Sequence, residues 1–137
     1  MDNQVNYINP EGLSKNPAFS QIVTTHGNGK TIYIGGQNAV DSKGTIIGPG
    51  DIGMQTEQVM KNLNTALEAC YATYENLVKL NIYIVQGQDL TRGFQASQKY
   101  IGHLKHPPAI TGLFVAALAR QEYLVEIEAV AFLPENN

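Results

Sequence analysis

Hydrophobic and polar positions along the chain follow two periods, one typical of helices and one typical of strands. From Asp51 to Cys70, apolar or small residues recur every three or four positions, as on the buried face of an amphipathic helix, and polar residues such as Gln55 fall mostly outside that face. Asp51 is a suitable N-cap for this helix. Asp89 precedes a second predicted helix, which ends before Pro107-Pro108 and places these residues on one side: Phe94, Ser97, Ile101 and Leu104.

Runs of β-branched and aromatic residues predict the strands. Residues 20–25 and 31–35 flank the turn cluster His26-Gly27-Asn28-Gly29, which predicts a hairpin. Further strands are expected at 77–85, 111–115 and 124–132, with a short one near 5–8. This order predicts one α+β domain over residues 1–137, with a mixed sheet of about six strands and two helices on one face.

The last strand is the most informative segment for chemistry. Because side chains alternate along a strand, Glu126 and Glu128 lie on the face that the helices cannot cover, among apolar neighbours. Such carboxylates either face solvent, have partners, or have a shifted pKa that suits proton transfer. The strands are not polar on either face, so the uncovered face predicts packing against another copy of the chain, as in a homo-oligomer.

Composition excludes several classes of function. Nine Lys and Arg stand against twelve Asp and Glu, without a basic run, which disfavours nucleic-acid binding. Cys70 is the single cysteine, so no internal disulfide can form, and a reducing compartment is expected. The first residues show no secretory-signal pattern, and no apolar run is long enough to cross a bilayer. The expected location is the cytoplasm, without membrane attachment.

Other candidate sites are weaker. His103 and His106 have a spacing that can ligate a metal on a helix, but no third ligand is near in sequence, and histidines also suit a helix C-terminus. Cys70 lies on the inward face of the long helix and is interpreted as an apolar filler. Gly27-x-Gly29 and Gly48-x-Gly50 are interpreted as turns rather than nucleotide-binding loops. No metal or cofactor is predicted.

Several segments, taken in order, resemble the RidA/YjgF family. Residues 125–131, read as VEIEAVA, resemble the closing signature of that family. The other matching segments are Pro17-Ala18-Phe19-Ser20-Gln21, Gly35-Gly36-Gln37, Gly50-Asp51-Ile52 with Gln55-Thr56 and Asn62-Leu63, and Pro108-Ala109. The resemblance implies a fold like that of the trimeric chorismate mutases, in which three sheets line the inside of a homotrimer and small-molecule clefts lie between subunits. It also implies hydrolysis of reactive enamines and imines, such as 2-aminoacrylate, without a cofactor.

The resemblance implies site residues position by position. The catalytic glutamate of the family falls on Glu126. Several polar cleft residues of the family are replaced here: its carboxylate-binding arginine falls on Ile110, its cysteine on Gly112, its tyrosine on Phe19, its serine on Gly35 and its helical asparagine on Ser97. Phe19, Ile110 and Thr111 would form an apolar wall. Arg120, in the loop before the last strand, either folds over the cleft in place of the arginine or is an exposed loop residue.

These residues predict an arginine-lacking branch of the family and leave three hypotheses. The first is a deaminase-type hydrolase that acts on a small imine, enamine or related carbonyl compound through Glu126. The second is a non-catalytic trimer that binds a small ligand or regulates a partner, which the loss of polar cleft residues favours. The third is an endoribonuclease, which the acidic balance disfavours.

Overall fold

The computed structural model describes residues 4–135 and confirms an α+β fold with six strands. The strands are β1 (Val5–Ile8), β2 (Ile22–Thr25), β3 (Gly29–Gln37), β4 (Leu77–Val85), β5 (Ala109–Val115) and β6 (Val125–Pro134). The helices are α1 (Ile52–Ala69) and α2 (Leu90–Ile101), with a 3-10 turn at Tyr74–Asn76. Asp51 and Asp89 are the N-caps, as predicted: their side chains accept hydrogen bonds from backbone N–H groups of the first helical turn.

The six strands form two sheets. β3, β6, β4 and β5 form a four-stranded sheet in that order, in which β4 and β5 are parallel and the other pairs antiparallel. β1 and β2 form a separate antiparallel pair. The predicted hairpin between residues 20–25 and 31–35 is therefore wrong. Its turn residues do redirect the chain, but the apolar Ile32 and Ile34 of β3 are buried beside β6, so β3 pairs there and leaves β2 to β1.

Both helices pack on one face of the four-stranded sheet. Alternate residues of β6 lie beneath them, and Val125, Ile127, Ala129 and Ala131 are all buried, as the alternation predicted. Gln55 differs from its prediction: it was placed with the outward polar residues, and it is fully buried. The turn at Gly48 and the loop before β6 cover this part of α1, and both donate or accept hydrogen bonds with the Gln55 side chain.

In the described part of the chain, no helix packs on the opposite face of the four-stranded sheet. Tyr33 of β3 is 80% exposed there, and Leu113 of β5 is 50% exposed. Glu126 and Glu128 of β6 lie on the same face, because they alternate with the buried positions. Polar and apolar side chains therefore share a broad surface that is open in the single chain. Within residues 4–135, no helix is both long and apolar enough to span a membrane.

Candidate functional site

The Glu126 side chain lies at an irregularity between β6 and β3. The register of the two strands shifts between Ile34 and Gln37, where Gly35 and Gly36 occur. A Cβ atom at Gly36 would lie 1.9 Å from Oε2 of Glu126, so a side chain at this position would displace the carboxylate. Asn38 Nδ2 donates to Oε1 of Glu126 at 3.3 Å and to the Val125 carbonyl at 3.3 Å. Gly36 and the Asn38 amide thus define where the carboxylate lies.

A chain of amide side chains connects this position to α1. Asn62 Nδ2 donates to the carbonyls of Asn38 at 3.0 Å and Val40 at 2.9 Å. Gln58 Nε2 in turn donates to Oδ1 of Asn62 at 2.9 Å. Because these bonds fix the backbone that follows β3, they orient the Asn38 amide toward Glu126.

Glu128, two residues further along β6, has a different environment. Its Oε1 accepts hydrogen bonds from the Tyr83 hydroxyl at 2.6 Å and from Asn81 Nδ2 at 3.0 Å. These bonds, first that of Tyr83, lower the pKa of the Glu128 carboxyl, and the bond to Glu128 raises the pKa of Tyr83. Glu128 is therefore a satisfied, ionised acceptor, whereas Glu126 has one side-chain donor within residues 4–135.

Two further predicted residues lie on the helix-free face. Gly35 and Glu128 line one shallow groove together with Tyr33, Lys79 and Asn81. Thr111 of β5 accepts a hydrogen bond from Lys79 Nζ at 2.7 Å. Gly35 and Thr111 therefore share a face with Glu126.

Three other predicted residues lie on the helix-covered side. Ile110 is paired with Leu80 and packs against the core, and Gly112 is paired with Ile82. No atom lies within 4 Å of a Cβ built on Gly112, so the space above it is open. Ser97 of α2 and Ile82 line the same cavity. Ser97 thus lines a cavity whose wall includes Ile82, the strand neighbour of Gly112, and Ile110 lies on the same side of the sheet. We call this region of Ser97, Ile110 and Gly112 the crevice.

Phe19 and Arg120 are each held by nearby segments of the chain. Phe19 precedes Ser20, whose N–H donates to the Pro108 carbonyl at 3.0 Å and whose hydroxyl donates to the Pro107 carbonyl at 2.6 Å, so Phe19 lies near the start of β5. Arg120 Nη2 is 4.0 Å from Oε1 of Glu122, and its guanidinium lies 5.6 Å from the centre of the Tyr123 ring. Arg120 therefore contacts its own loop rather than Glu126.

Six of the eight predicted site residues consequently form two groups on opposite faces of one sheet, and Phe19 and Arg120 belong to neither group. Ile110 and Thr111 are consecutive in β5 and point to opposite faces, so they cannot form a single wall with Phe19 inside one chain. Glu126 and the crevice at Gly112 are likewise separated by the sheet. A cleft that contains both groups requires a second copy of the chain.

Sequence reasoning missed the residues that hold Glu126 in place. Asn38 and Gly36 contact its carboxylate directly, and Asn62 acts through Asn38. The one available signal is the Gly35-Gly36 pair within a strand, since glycine inside a strand often marks a bulge or a close approach. Of the histidines considered for metal binding, His106 stacks on Tyr7 with ring centres 4.9 Å apart, and residues 4–135 contain no cluster of three metal-ligating side chains.

Comparison with known proteins adds the following relations. The family model described as Endoribonuclease L-PSP matches residues 13–133. The RutC family protein PH0854 of Pyrococcus horikoshii is 33% identical over 83% of this chain and 86% of its own. The 2-iminobutanoate/2-iminopropanoate deaminase of Rattus norvegicus is 31% identical over 83% of this chain and 79% of its own. The crystal structure of YyfB from Yersinia pestis, a protein of the conserved Rid family, has a TM-score of 0.83 and 32% identity, with coverage of 96% and 100%.

Proposed function

The chain belongs to the endoribonuclease L-PSP family, also known as YjgF/RidA, and on this premise we propose that it is a homotrimeric, deaminase-type hydrolase. Its substrate would be a small imine, enamine or related carbonyl compound. Relatives named 2-iminobutanoate/2-iminopropanoate deaminase, from rat and mouse, support this class of reaction. The observation that carries the proposal for this chain is the Glu126 carboxylate, which packs against Gly36 and accepts one amide hydrogen bond.

Hydrolysis of an imine needs one group that can accept and return a proton. Glu126 would take a proton from water as the water oxygen attacks the imine carbon, which converts the C=N bond into a C–N bond. The same carboxyl would then give this proton to the nitrogen, which yields a carbinolamine. Glu126 would next carry the hydroxyl proton of the carbinolamine to the nitrogen, which leaves as ammonia as the C–N bond breaks and the carbonyl forms. Water is the only co-reactant, and the products balance as one carbonyl compound and one ammonia. Asn38 would hold the carboxylate in the orientation that this requires.

The cleft would form between neighbouring subunits. Glu126 with Gly35 would come from one chain, and the crevice of Ser97, Ile110 and Gly112 from the next, because a single chain keeps them on opposite faces of its sheet. Ile110 stands where the resemblance implies an arginine, and Arg120 contacts Glu122 and Tyr123 instead. Neither group of predicted residues contains a cation, and Lys79, which lines the groove with Gly35, donates its Nζ to Thr111, so 2-aminoacrylate is not the expected substrate.

Release of ammonia from imines that are generated in the assay tests this proposal. An amino acid oxidase supplies imino acids, and oxidation of simple amines supplies imines without a carboxylate. We expect 2-aminoacrylate to decay at the rate in buffer and a carboxylate-free imine to decay faster with the protein. Glu126→Gln should lower that acceleration at least about tenfold, because a positioned acid-base group contributes roughly 10²–10⁴-fold.

Glu128→Gln is the matched control, since it makes the same change on the same face of the same strand. We expect it to retain more than about half of the rate, because Glu128 is held by Tyr83 and Asn81 and has no role in the proton transfer. An equal loss in both variants would contradict the role of Glu126.

A second candidate function is binding without turnover. The loss of polar cleft residues, including the arginine replaced by Ile110, favours it, because an apolar wall can hold a ligand without orienting it for reaction. Saturable binding of an imine or carbonyl compound, with no ammonia released from any imine tested, would favour this candidate over the hydrolase.

A further inference from the structure

A cavity of about 210 Å³ lies between α2 and the helix-covered face of the sheet. Its ten lining residues include no charged side chain, and its walls are mainly aliphatic, with Ile82, Ile84 and Ile127 beneath Phe94 of α2. Phe94 is 53% exposed and Leu90 is 46% exposed, so the rim of the cavity is apolar and open to solvent.

Besides its aliphatic walls, the cavity is lined by Gly93 and by two residues with hydroxyl groups, Thr56 and Ser97. A Cβ atom at Gly93 would lie 3.5 Å from Oγ1 of Thr56, so the absence of a side chain there leaves room beside this hydroxyl. The Ser97 hydroxyl donates to the Phe94 carbonyl at 2.7 Å and is satisfied. The Thr56 side chain makes no hydrogen bond within residues 4–135, although the residue is only 4% exposed.

The Thr56 hydroxyl faces the cavity. Every side-chain nitrogen or oxygen that is fully buried within residues 4–135 has a hydrogen-bond partner. Because Thr56 Oγ1 has none, it is not fully buried, and the cavity that Thr56 lines is where it can be reached. The Thr56 side chain is thus more than nine-tenths buried, and its hydroxyl is satisfied by water or by a ligand that enters the cavity.

We propose that this cavity binds an uncharged, apolar group of about the size of a benzene ring that carries one hydrogen-bonding atom for Thr56. The size follows from the volume, since an apolar cavity of about 150 Å³ in a protein interior is enough to take up benzene. The lack of charge follows from the walls, because a carboxylate or ammonium group would lose its hydration without gaining a partner.

The cavity also adjoins the crevice used in the proposed function. Ile82 lines the cavity and is the strand neighbour of Gly112, above which the space is open. If the proposed function holds, the bound group is the side chain of the substrate, and the substrate class becomes that of neutral imines with an aromatic or branched aliphatic substituent. This assignment to a substrate rests on the proposed function, whereas binding itself does not.

Binding of three small probes to the full chain, followed through the methyl resonances of its isoleucines, tests the inference. Toluene is apolar, benzyl alcohol adds one hydroxyl, and benzoate adds a charge to the same ring. We expect toluene and benzyl alcohol to shift the methyl signals of Ile82, Ile84 and Ile127, and benzoate to bind at least about tenfold more weakly.

Thr56→Val is the sharpest variant because it keeps the shape of the side chain and removes the hydroxyl. Benzyl alcohol should bind about threefold or more weakly to it, as expected for one lost hydrogen bond, whereas the affinity for toluene should stay within about twofold. Ser97→Leu should fill the cavity and weaken both probes at least about tenfold. Gln95→Leu introduces the same side chain at an exposed position of α2 and should bind as the unmodified protein does.

The inference would be overturned if neither toluene nor benzyl alcohol shifted these methyl signals in the unmodified protein, or if benzoate bound as tightly as toluene. Equal loss of toluene and benzyl alcohol in Thr56→Val would remove the role of the hydroxyl. Ammonia release from imines is measured separately. Binding without turnover would therefore refute the hydrolase and keep the site, and turnover without probe binding would refute the site and keep the hydrolase.

Discussion

Glu126 and Glu128 are chemically identical residues on one face of one strand, but their carboxylates accept hydrogen bonds from different neighbours. Glu128 accepts two hydrogen bonds, from Tyr83 and Asn81, which tie it into the sheet. Glu126 accepts one from Asn38, and its space depends on Gly36. Sequence alternation places both carboxylates correctly on the uncovered face, but it says nothing about cross-strand partners, which decide that one is structural and the other is available.

Removal of the Tyr83 hydroxyl should change the titration of Glu128. Its pKa is lowered mainly by that hydrogen bond, so Tyr83→Phe should raise the pKa toward the ordinary value, with Asn81 retaining part of the effect. A lowered folded-state pKa adds stability above the unfolded pKa that is lost as pH falls through the folded one, so the stability difference between the two proteins should be larger near pH 7 than near about pH 2.

A carbon-detected NMR titration of the glutamate carboxyl groups measures this midpoint. Tyr33→Phe is the control, since it removes the same hydroxyl from a ring on the same face that is 80% exposed and not bonded to Glu128. A Glu128 midpoint that stays unchanged in Tyr83→Phe would contradict the assigned cause of the shift.

At the scale of elements, the junction between α1 and the loop before β6 depends on Gln55. Its amide donates to the carbonyls of Gly48 at 3.2 Å and Glu122 at 2.9 Å, and its oxygen accepts from the Leu124 N–H at 2.9 Å. Since Leu124 directly precedes β6, this buried amide helps to set where the strand that carries Glu126 begins.

Gln55→Leu should therefore lower the free energy of unfolding by about 3 kcal/mol, because it leaves two carbonyls and one N–H without partners at a fully buried position. Urea denaturation measures the loss. Gln58→Leu, which removes one hydrogen bond to Asn62 from a half-buried position of the same helix, should cost less than about 1 kcal/mol. Equal losses in the two variants would show that the Gln55 bonds are not what stabilises this junction.

The elements that were predictable are those with strong local signals. Asp51 and Asp89 mark the helix starts, and the apolar run 77–85 is a strand with those bounds. The pairing of the strands was not predictable from the glycine turn near residue 27, because a turn specifies a change of direction and not a partner. Gln55 was misplaced for a related reason: periodicity describes one helix, whereas the loop that buries Gln55 comes from elsewhere in the chain.

At the scale of the whole molecule, the separation of the two site groups limits how the subunits can associate. Glu126 and Gly112 lie on opposite faces of one sheet, so an interface that joins them uses a different surface on each partner. Such a heterologous interface closes only as a ring, and a ring of three contains three equivalent clefts. The uncovered sheet face, with Tyr33 and Leu113 exposed, would then be enclosed by neighbouring copies.

Mixed oligomers test this arrangement more directly than a mass measurement does. Glu126→Gln removes the carboxylate, and Gly112→Phe fills the open space beside Ile82, where no atom would clash with the new Cβ. Each variant alone should be inactive on the imine that the unmodified protein hydrolyses. If the two groups meet across an interface, unfolding and refolding an equal mixture should restore about one cleft in four, since one interface in four pairs an intact Glu126 with an intact Gly112.

Light scattering should give the mass of three chains for both variants and for the mixture. Activity that stays at zero in mixed trimers would place both groups in one chain, and a protein that is monomeric while it hydrolyses the imine would exclude a shared cleft altogether.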